Sequence, residues 1–144
     1  MQNILAITSG SGLATELFVK MSQSNLDIDL IPHEGSDIWI VALTGPIGVY
    51  TYEKLDETLA GMFAEGQFRI IMDMQHVDYV SSAGAGVLLN AMTNCVDHDG
   101  RFVLTNVSTS VWEVFELLQL ENVLPVVQTL PAAISSFSAA AVQA

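Results

Sequence analysis

The sequence predicts an α/β domain with a mainly parallel or mixed sheet covered by helices. Short β-branched and aromatic runs alternate with segments whose apolar residues recur at helical spacing, a pattern typical of such domains. Of the 144 residues, 51% are hydrophobic and only 14% are charged, which is enough apolar surface for one buried core.

The elements of the first half follow from their residue types. An alternating run predicts a first strand near 28–32, and the β-branched and aromatic run 38–43 predicts a second. Apolar residues at helical spacing over 51–64 predict a helix, which Gly66 ends. The apolar run 68–74 is short enough for a central strand buried on both faces.

The second half continues the alternation. A helix is predicted over 82–96, followed by a strand over 101–107 and by a further helix that begins at 108–110. A short last strand is expected at 123–127, at a sheet edge because a proline interrupts it. A terminal helix that begins at Leu130 completes the predicted domain.

The N-terminal part of the chain differs from the rest. Residues 1–25 are small and polar with a brief apolar patch, and we treat them as an extension of unknown role. The compact α/β domain is placed in 26–144. Within the extension, 13–21 is compatible with a short helix, and 22–25 is typical of a break.

Composition argues against several classes of function. A net charge of −12, with four basic against sixteen acidic residues, lacks the basic footprint of nucleic-acid or anionic-membrane binding. No run approaches the roughly 20 apolar residues that span a bilayer, and the N-terminus lacks a secretory signal pattern. The single cysteine, Cys95, excludes a disulfide within the chain. We expect a cytoplasmic protein without membrane insertion. Its acidity either steers a basic protein partner towards the surface or serves only solubility.

Catalytic and cofactor patterns are weak in this sequence. The histidines all lie in predicted loops, and Ser82 lacks the glycine-flanked turn of a hydrolase nucleophile. Gly84-Ala85-Gly86 is glycine-rich, but no lysine follows it as in phosphate-binding loops. A polar turn at a helix end accounts for Asp97-His98-Asp99 without a metal. We therefore predict no enzyme activity, no catalytic residue, no metal site and no cofactor.

Ser82 occupies the position most suggestive of function. The predicted strand 68–74 runs towards it, and sites in open α/β sheets lie beyond the carboxyl ends of the strands. A hydroxyl at a helix start faces unpaired N–H groups and the positive end of the helix dipole, where a phosphate is tolerated. Ser82 is therefore either a phosphorylation site, which would gain nearly two negative charges, or an ordinary helix N-cap.

The stretch from Asp73 to Gly86 resembles the signature of STAS domains, and among them the bacterial anti-sigma factor antagonists. The residues that match the pattern are Asp73, Val77, Asp78, Tyr79, Val80, Ser82, Gly84 and Gly86. Ser82 stands at the position of the family's phosphorylated serine. The resemblance covers roughly 26–137 and implies the STAS fold, an α/β fold with a mixed four- to five-stranded sheet and helices packed mainly on one side.

The same resemblance implies a partner-switching function. In the family, the unphosphorylated domain binds an anti-sigma factor that is also a serine kinase, and thereby releases a sigma factor. Phosphorylation of the serine breaks the complex, and a PP2C-type phosphatase restores it. For this chain, the implied partner surface is the helix start with the loop before it: Asp78, Tyr79, Ser81, Ser82, Ala83, Gly84, Ala85 and Gly86.

Three residues of the motif depart from the family pattern. Ser81 stands in place of the usual Asp, Ala83 in place of Ser or Thr, and Ala85 in place of Leu. These departures keep a second hypothesis open: a STAS scaffold or subunit of a signalling or lipid-transport complex, without a phosphoswitch. A third hypothesis is a nucleotide-binding STAS module. A homodimer is also compatible with the sequence.

Overall fold

A computed structural model describes residues 25–143, in which five strands form one mixed sheet and four helices cover it. The strands are β1 (Asp27–Pro32), β2 (Trp39–Thr44), β3 (Arg69–His76), β4 (Arg101–Thr105) and β5 (Val126–Val127). The helices are α1 (Tyr52–Ala64), α2 (Ser82–Asp97), α3 (Thr109–Leu117) and α4 (Leu130–Gln143). The predicted α/β class is confirmed, whereas the short helix expected at 13–21 lies outside the described residues.

The order of strands across the sheet follows their order along the chain. β1 pairs with β2 antiparallel, and β2, β3, β4 and β5 are parallel to one another. Each parallel connection therefore crosses over through a helix, namely α1, α2 or α3. As a result, the loops 45–51, 77–81 and 106–108 follow strand ends at one end of the sheet. We call this end the C-terminal pole.

Two apolar cores hold the helices on the sheet. The larger core lies between the sheet and α1, α2 and α3, and contains Leu55, Met72, Leu88 and Phe115, which are at most 1% exposed. The smaller core lies under α4, on the opposite face: Ile38, Ile40, Ile71, Val103, Ala133 and Phe137. The helices are thus mainly on one side, as predicted, and α4 covers the other.

Strand β3 is buried on both faces, as its apolar run predicted. Ile70 and Met72 enter the larger core, while Ile71 between them enters the smaller one. The last strand is at the sheet edge, also as predicted, but it is limited to Val126–Val127 because Pro125 has no N–H for the ladder. No helix within 25–143 has the length and apolar character that crossing a membrane requires.

The single cysteine is a packing residue. Cys95 is fully buried on α2 within the larger core. Burial raises the pKa of its thiol to about 12, because the thiolate would lose its solvation. The thiol is therefore neutral and unreactive at physiological pH.

Candidate functional site

The start of α2 lies at the C-terminal pole, directly after the loop that follows β3. The residue that caps this helix is Ser81, whose backbone is extended (φ −82°, ψ 171°). The Ser81 Oγ accepts a hydrogen bond from the amide of Gly84 at 3.0 Å. The alternative interpretation of Ser82 as the N-cap is therefore wrong. Ser81 supplies the capping oxygen that an aspartate would supply at the same position.

Ser82 is the first residue of α2, and its side chain is exposed. Its Oγ has no hydrogen-bond partner among the residues that the structure describes, and neither do the amides of Ser82 and Ala83. A free hydroxyl thus stands beside two unpaired N–H groups and the positive end of the helix dipole. Such a site favours an attached or approaching phosphate.

The two neighbouring serines are expected to differ in their contribution to stability. Ser81→Ala should lower the free energy of unfolding by about 1 kcal/mol, because α2 loses its capping oxygen. Ser82→Ala should change it by less than about 0.5 kcal/mol, since that hydroxyl makes no hydrogen bond within residues 25–143. Urea denaturation of both variants measures the difference. Equal destabilisation by the two substitutions would contradict the assignment of the cap.

The start of α2 is held tightly against the loop 45–51. Ile47 forms an isolated parallel bridge with Val80; its amide donates to the Tyr79 carbonyl at 3.0 Å, and its carbonyl accepts from the Ser81 amide at 2.9 Å. A Cβ built on Gly84 would overlap the carbonyl oxygen of Ile47 and lie 2.8 Å from its Cγ2. Only glycine allows this approach of helix and loop.

Three apolar side chains are exposed at this pole. Val49, Tyr50 and Tyr79 are 57%, 64% and 53% exposed. The Tyr79 ring lies over Gly48, where an added Cβ would meet its Cε2 at 3.2 Å, so the two loops adjoin. We call Val49, Tyr50 and Tyr79 the apolar patch. Exposed apolar side chains gathered beside polar groups are typical of a protein-binding surface.

Only Tyr79 of the apolar patch was identified from the sequence. Val49 and Tyr50 were missed because they fall outside the motif and precede a predicted helix, where apolar residues suggest core packing. The available signal was two large apolar residues within a short, glycine-containing connection.

Asn106, in the loop after β4, and Ser110, in the first turn of α3, contact the end of β3 and the loop after it. The Asp73 Oδ1 accepts hydrogen bonds from the Asn106 side chain at 3.0 Å and from the Gln75 amide at 3.1 Å. The Ser110 hydroxyl donates to the Asp78 carbonyl at 3.1 Å. Asp73 therefore ties the end of β3 to the loop after β4, whereas the side chain of Asp78 is exposed.

The residues predicted as the partner surface divide by burial. Asp78, Tyr79, Ser82 and Gly86 are exposed, Ser81 and Ala83 are half-buried, and Gly84 and Ala85 are buried. Ala85 belongs to the larger core under α2. Asp78, Tyr79 and Ser82 lie close together because the loop and the first turn of α2 are consecutive in the chain, and Gly86 lies one turn beyond Ser82 on the same face of the helix. The buried members determine how that turn sits on the domain.

The C-terminal pole has little positive charge to balance its carboxylates. Arg69 and Arg101 begin β3 and β4, at the opposite end of the sheet. Lys54, on α1, donates to the Leu26 carbonyl through its Nζ at 2.6 Å. Exposed acidic side chains at the pole include Asp78 and Glu53. Within the described residues, no arginine therefore lies at this pole to pair with a new negative charge on Ser82.

The polar segment Asp97-His98-Asp99 lies at the far end of α2 from Ser82. The His98 ring stacks on Phe68 with centroids 4.1 Å apart, and its Nδ1 lies 2.8 Å from the Asn94 carbonyl oxygen. Asp99 has a left-handed backbone with φ 60°, which turns the chain towards β4. These contacts place the segment in a helix-ending turn.

Comparison with known proteins identifies relatives over most of the chain. A family model described as the STAS domain matches residues 31–133. A Bordetella bronchiseptica protein described as a candidate anti-sigma factor antagonist, BtrV, is 32% identical over 101 residues, which cover 70% of this chain and 87% of that protein. The anti-sigma-B factor antagonist of Staphylococcus epidermidis is 28% identical over 102 residues, which cover 71% and 93% of the two chains.

Solved structures share the same fold. An anti-sigma factor antagonist from Mycobacterium paratuberculosis superposes with a TM-score of 0.68 at 19% identity, covering 77% of this chain and 92% of that one. The Bacillus cell fate determinant SpoIIAA in its phosphorylated form gives a TM-score of 0.60 at 20% identity, covering 77% and 99%. At these identities the likeness shows a common fold.

Proposed function

The chain belongs to the STAS domain family, and we propose that it acts as an anti-sigma factor antagonist switched by phosphorylation of Ser82. In its unphosphorylated form it binds an anti-sigma factor that is also a serine kinase, and so releases a sigma factor. The observation that carries the proposal is the exposed hydroxyl of Ser82 at the start of α2, which has no hydrogen-bond partner among residues 25–143. That hydroxyl stands at the position of the family's phosphorylated serine.

The proposed partner surface combines the start of α2 with the apolar patch. The exposed residues Asp78, Tyr79, Ser82 and Gly86 contact the kinase together with Val49 and Tyr50. Aromatic side chains such as these two tyrosines are enriched among the residues that dominate binding energy. Half-buried Ser81 and Ala83 lie at the rim of this surface, and buried Gly84 and Ala85 hold the helix start in place.

Phosphorylation reverses binding through charge. A phosphate on Ser82 adds nearly two negative charges, which the free amides of Ser82 and Ala83 and the helix dipole stabilise. The fold therefore survives the modification. In the complex, the dianion would be desolvated beside the apolar patch and Asp78, and like charges brought together at an interface cost several kcal/mol.

The serine that stands beside the acceptor supports the switch. Ser81 caps α2 through its Oγ, as an aspartate there would, and the hydroxyl of Ser82 stays free. Serine in place of the family's usual aspartate at position 81 also removes one negative charge beside Ser82. The negatively charged ATP is therefore repelled less as it approaches the Ser82 hydroxyl. This argument favours the phosphoswitch over a STAS scaffold or a nucleotide-binding module. A PP2C-type phosphatase that restores the hydroxyl, a cytoplasmic location and a non-enzymatic role belong to the same proposal.

Phosphorylation by the cognate kinase tests the proposal. We expect incubation with the anti-sigma kinase, ATP and Mg²⁺ to add one phosphoryl group, which tandem mass spectrometry locates on Ser82. Ser82→Ala should abolish incorporation, whereas the matched variant Ser81→Ala should still be phosphorylated. Phosphate on Ser81 instead of Ser82 would overturn the assignment of the acceptor, and no phosphate on the wild-type chain would favour a scaffold without a switch.

A further inference from the structure

The N-terminal segment, residues 1–24, joins the domain at the C-terminal pole. Asp27 at the start of β1 pairs with Thr44 at the end of β2, so the chain enters β1 from that pole. The carbonyl oxygen of Asn25 packs against Gly45, where an added Cβ would overlap it. Gly45 lies three residues before Gly48, which the Tyr79 ring covers. The segment therefore meets the domain beside the loops that carry the apolar patch.

A short tether keeps the apolar part of this segment close to the patch. The sequence places Leu13, Leu17 and Met21 at helical spacing, with Phe18 beside them. The chain from Met21 to Asn25 spans at most about 14 Å even when fully extended. A tether this short gives an effective concentration on the order of millimolar, so even a weak contact would be populated.

Charge also permits this segment to approach the acidic pole. Its only charged residues are Lys20 and Glu16, which cancel, so the whole net charge of −12 resides in 25–144. An acidic segment would be repelled there, whereas a neutral one with an apolar face is not. The patch itself offers three apolar side chains that are each more than half exposed in the described chain.

We propose that the apolar face of residues 13–21 docks on the apolar patch and covers it when no partner is bound. This docking is a property of the chain alone. Its regulatory consequence rests on the proposed function: the docked segment occupies the surface assigned to the anti-sigma kinase. If the segment is docked for about nine-tenths of the time, the apparent affinity for that kinase is reduced about tenfold.

Site-specific photo-crosslinking in the full chain tests the contact directly. With p-benzoylphenylalanine in place of Phe18, we expect crosslinks within one chain to residues 48–50 or to Tyr79. The same group in place of Val19, on the opposite face of the predicted helix, is the matched control and should crosslink there several-fold less. Crosslinks between two chains, or to Leu30 and Ile31 on β1, would overturn the proposal in favour of another occupant or another site.

Hydrogen exchange and kinase affinity provide the second test. In the Leu17→Ser/Phe18→Ser double variant, amides of 48–50 and 79–82 should exchange about five- to tenfold faster, with β3 amides unchanged. Val19→Ser should leave both regions unchanged. Equal exchange in the double variant and the wild type would refute the docking whatever the partner is. If exchange rises but no chain binds the kinase, the docking stands and the proposed function fails.

Discussion

Ser82→Asp is expected to weaken binding of the anti-sigma kinase by at least about 100-fold while the domain stays folded, a change worth about 2.7 kcal/mol. A carboxylate in the first turn of α2 interacts favourably with the free amides and the helix dipole, by about 0.3–1 kcal/mol. Thermal stability should therefore be unchanged or slightly higher. In the complex, the same carboxylate would be desolvated beside Asp78 with no described arginine at that pole.

The controls for this variant separate the position of the charge from its presence. Ser135→Asp adds the same charge to an exposed position on α4, across the sheet from α2, and should bind the kinase as the wild type does. Ser82→Ala should also retain binding. Isothermal titration calorimetry measures the affinities, and thermal unfolding confirms that each variant is folded. Equal affinities for Ser82→Asp and Ser135→Asp would contradict a switch at Ser82.

Most of the fold follows from the sequence because its elements have distinct periodicities. β3 was predictable as a central strand, since Ile70, Ile71 and Met72 leave neither face polar. The length of β5 was harder to predict. Only the two residues after Pro125 pair with β4, and the sequence does not show where β4 lies beside them. Edge strands depend on their neighbour more than on their own residue types.

The sequence predicted where the site lies in the chain, but not which serine caps α2 or which neighbouring side chains are exposed. Two adjacent serines before a helix are equally good caps by composition, and the backbone decides between them. Here the bridge from Ile47 to Val80 and the hydrogen bond from the Ser81 amide to Ile47 fix that backbone. Both are contacts between segments far apart in the chain, which local sequence patterns do not reveal.

Gly84→Ala is expected to lower the free energy of unfolding by about 2 kcal/mol, the largest effect on stability that we predict for a single added methyl group. The new Cβ would overlap the Ile47 carbonyl oxygen, a backbone atom that cannot move by changing rotamer. Relief requires α2 and the loop 45–51 to separate, which also strains the cap from Ser81 to the Gly84 amide. The helix propensity gained, about 1 kcal/mol, only partly offsets this cost.

Gly86→Ala in the same helix is the matched control, because nothing lies within 4 Å of its added Cβ. There the gain in helix propensity acts alone, and stability should rise by about 0.5–1 kcal/mol. In urea denaturation, the free energy of unfolding should therefore fall for Gly84→Ala and rise for Gly86→Ala, relative to the wild type. Stabilisation by both substitutions would show that helix and loop separate without cost. Opposite signs would show that the close contact between Gly84 and Ile47 stabilises the packing of α2 against the loop 45–51.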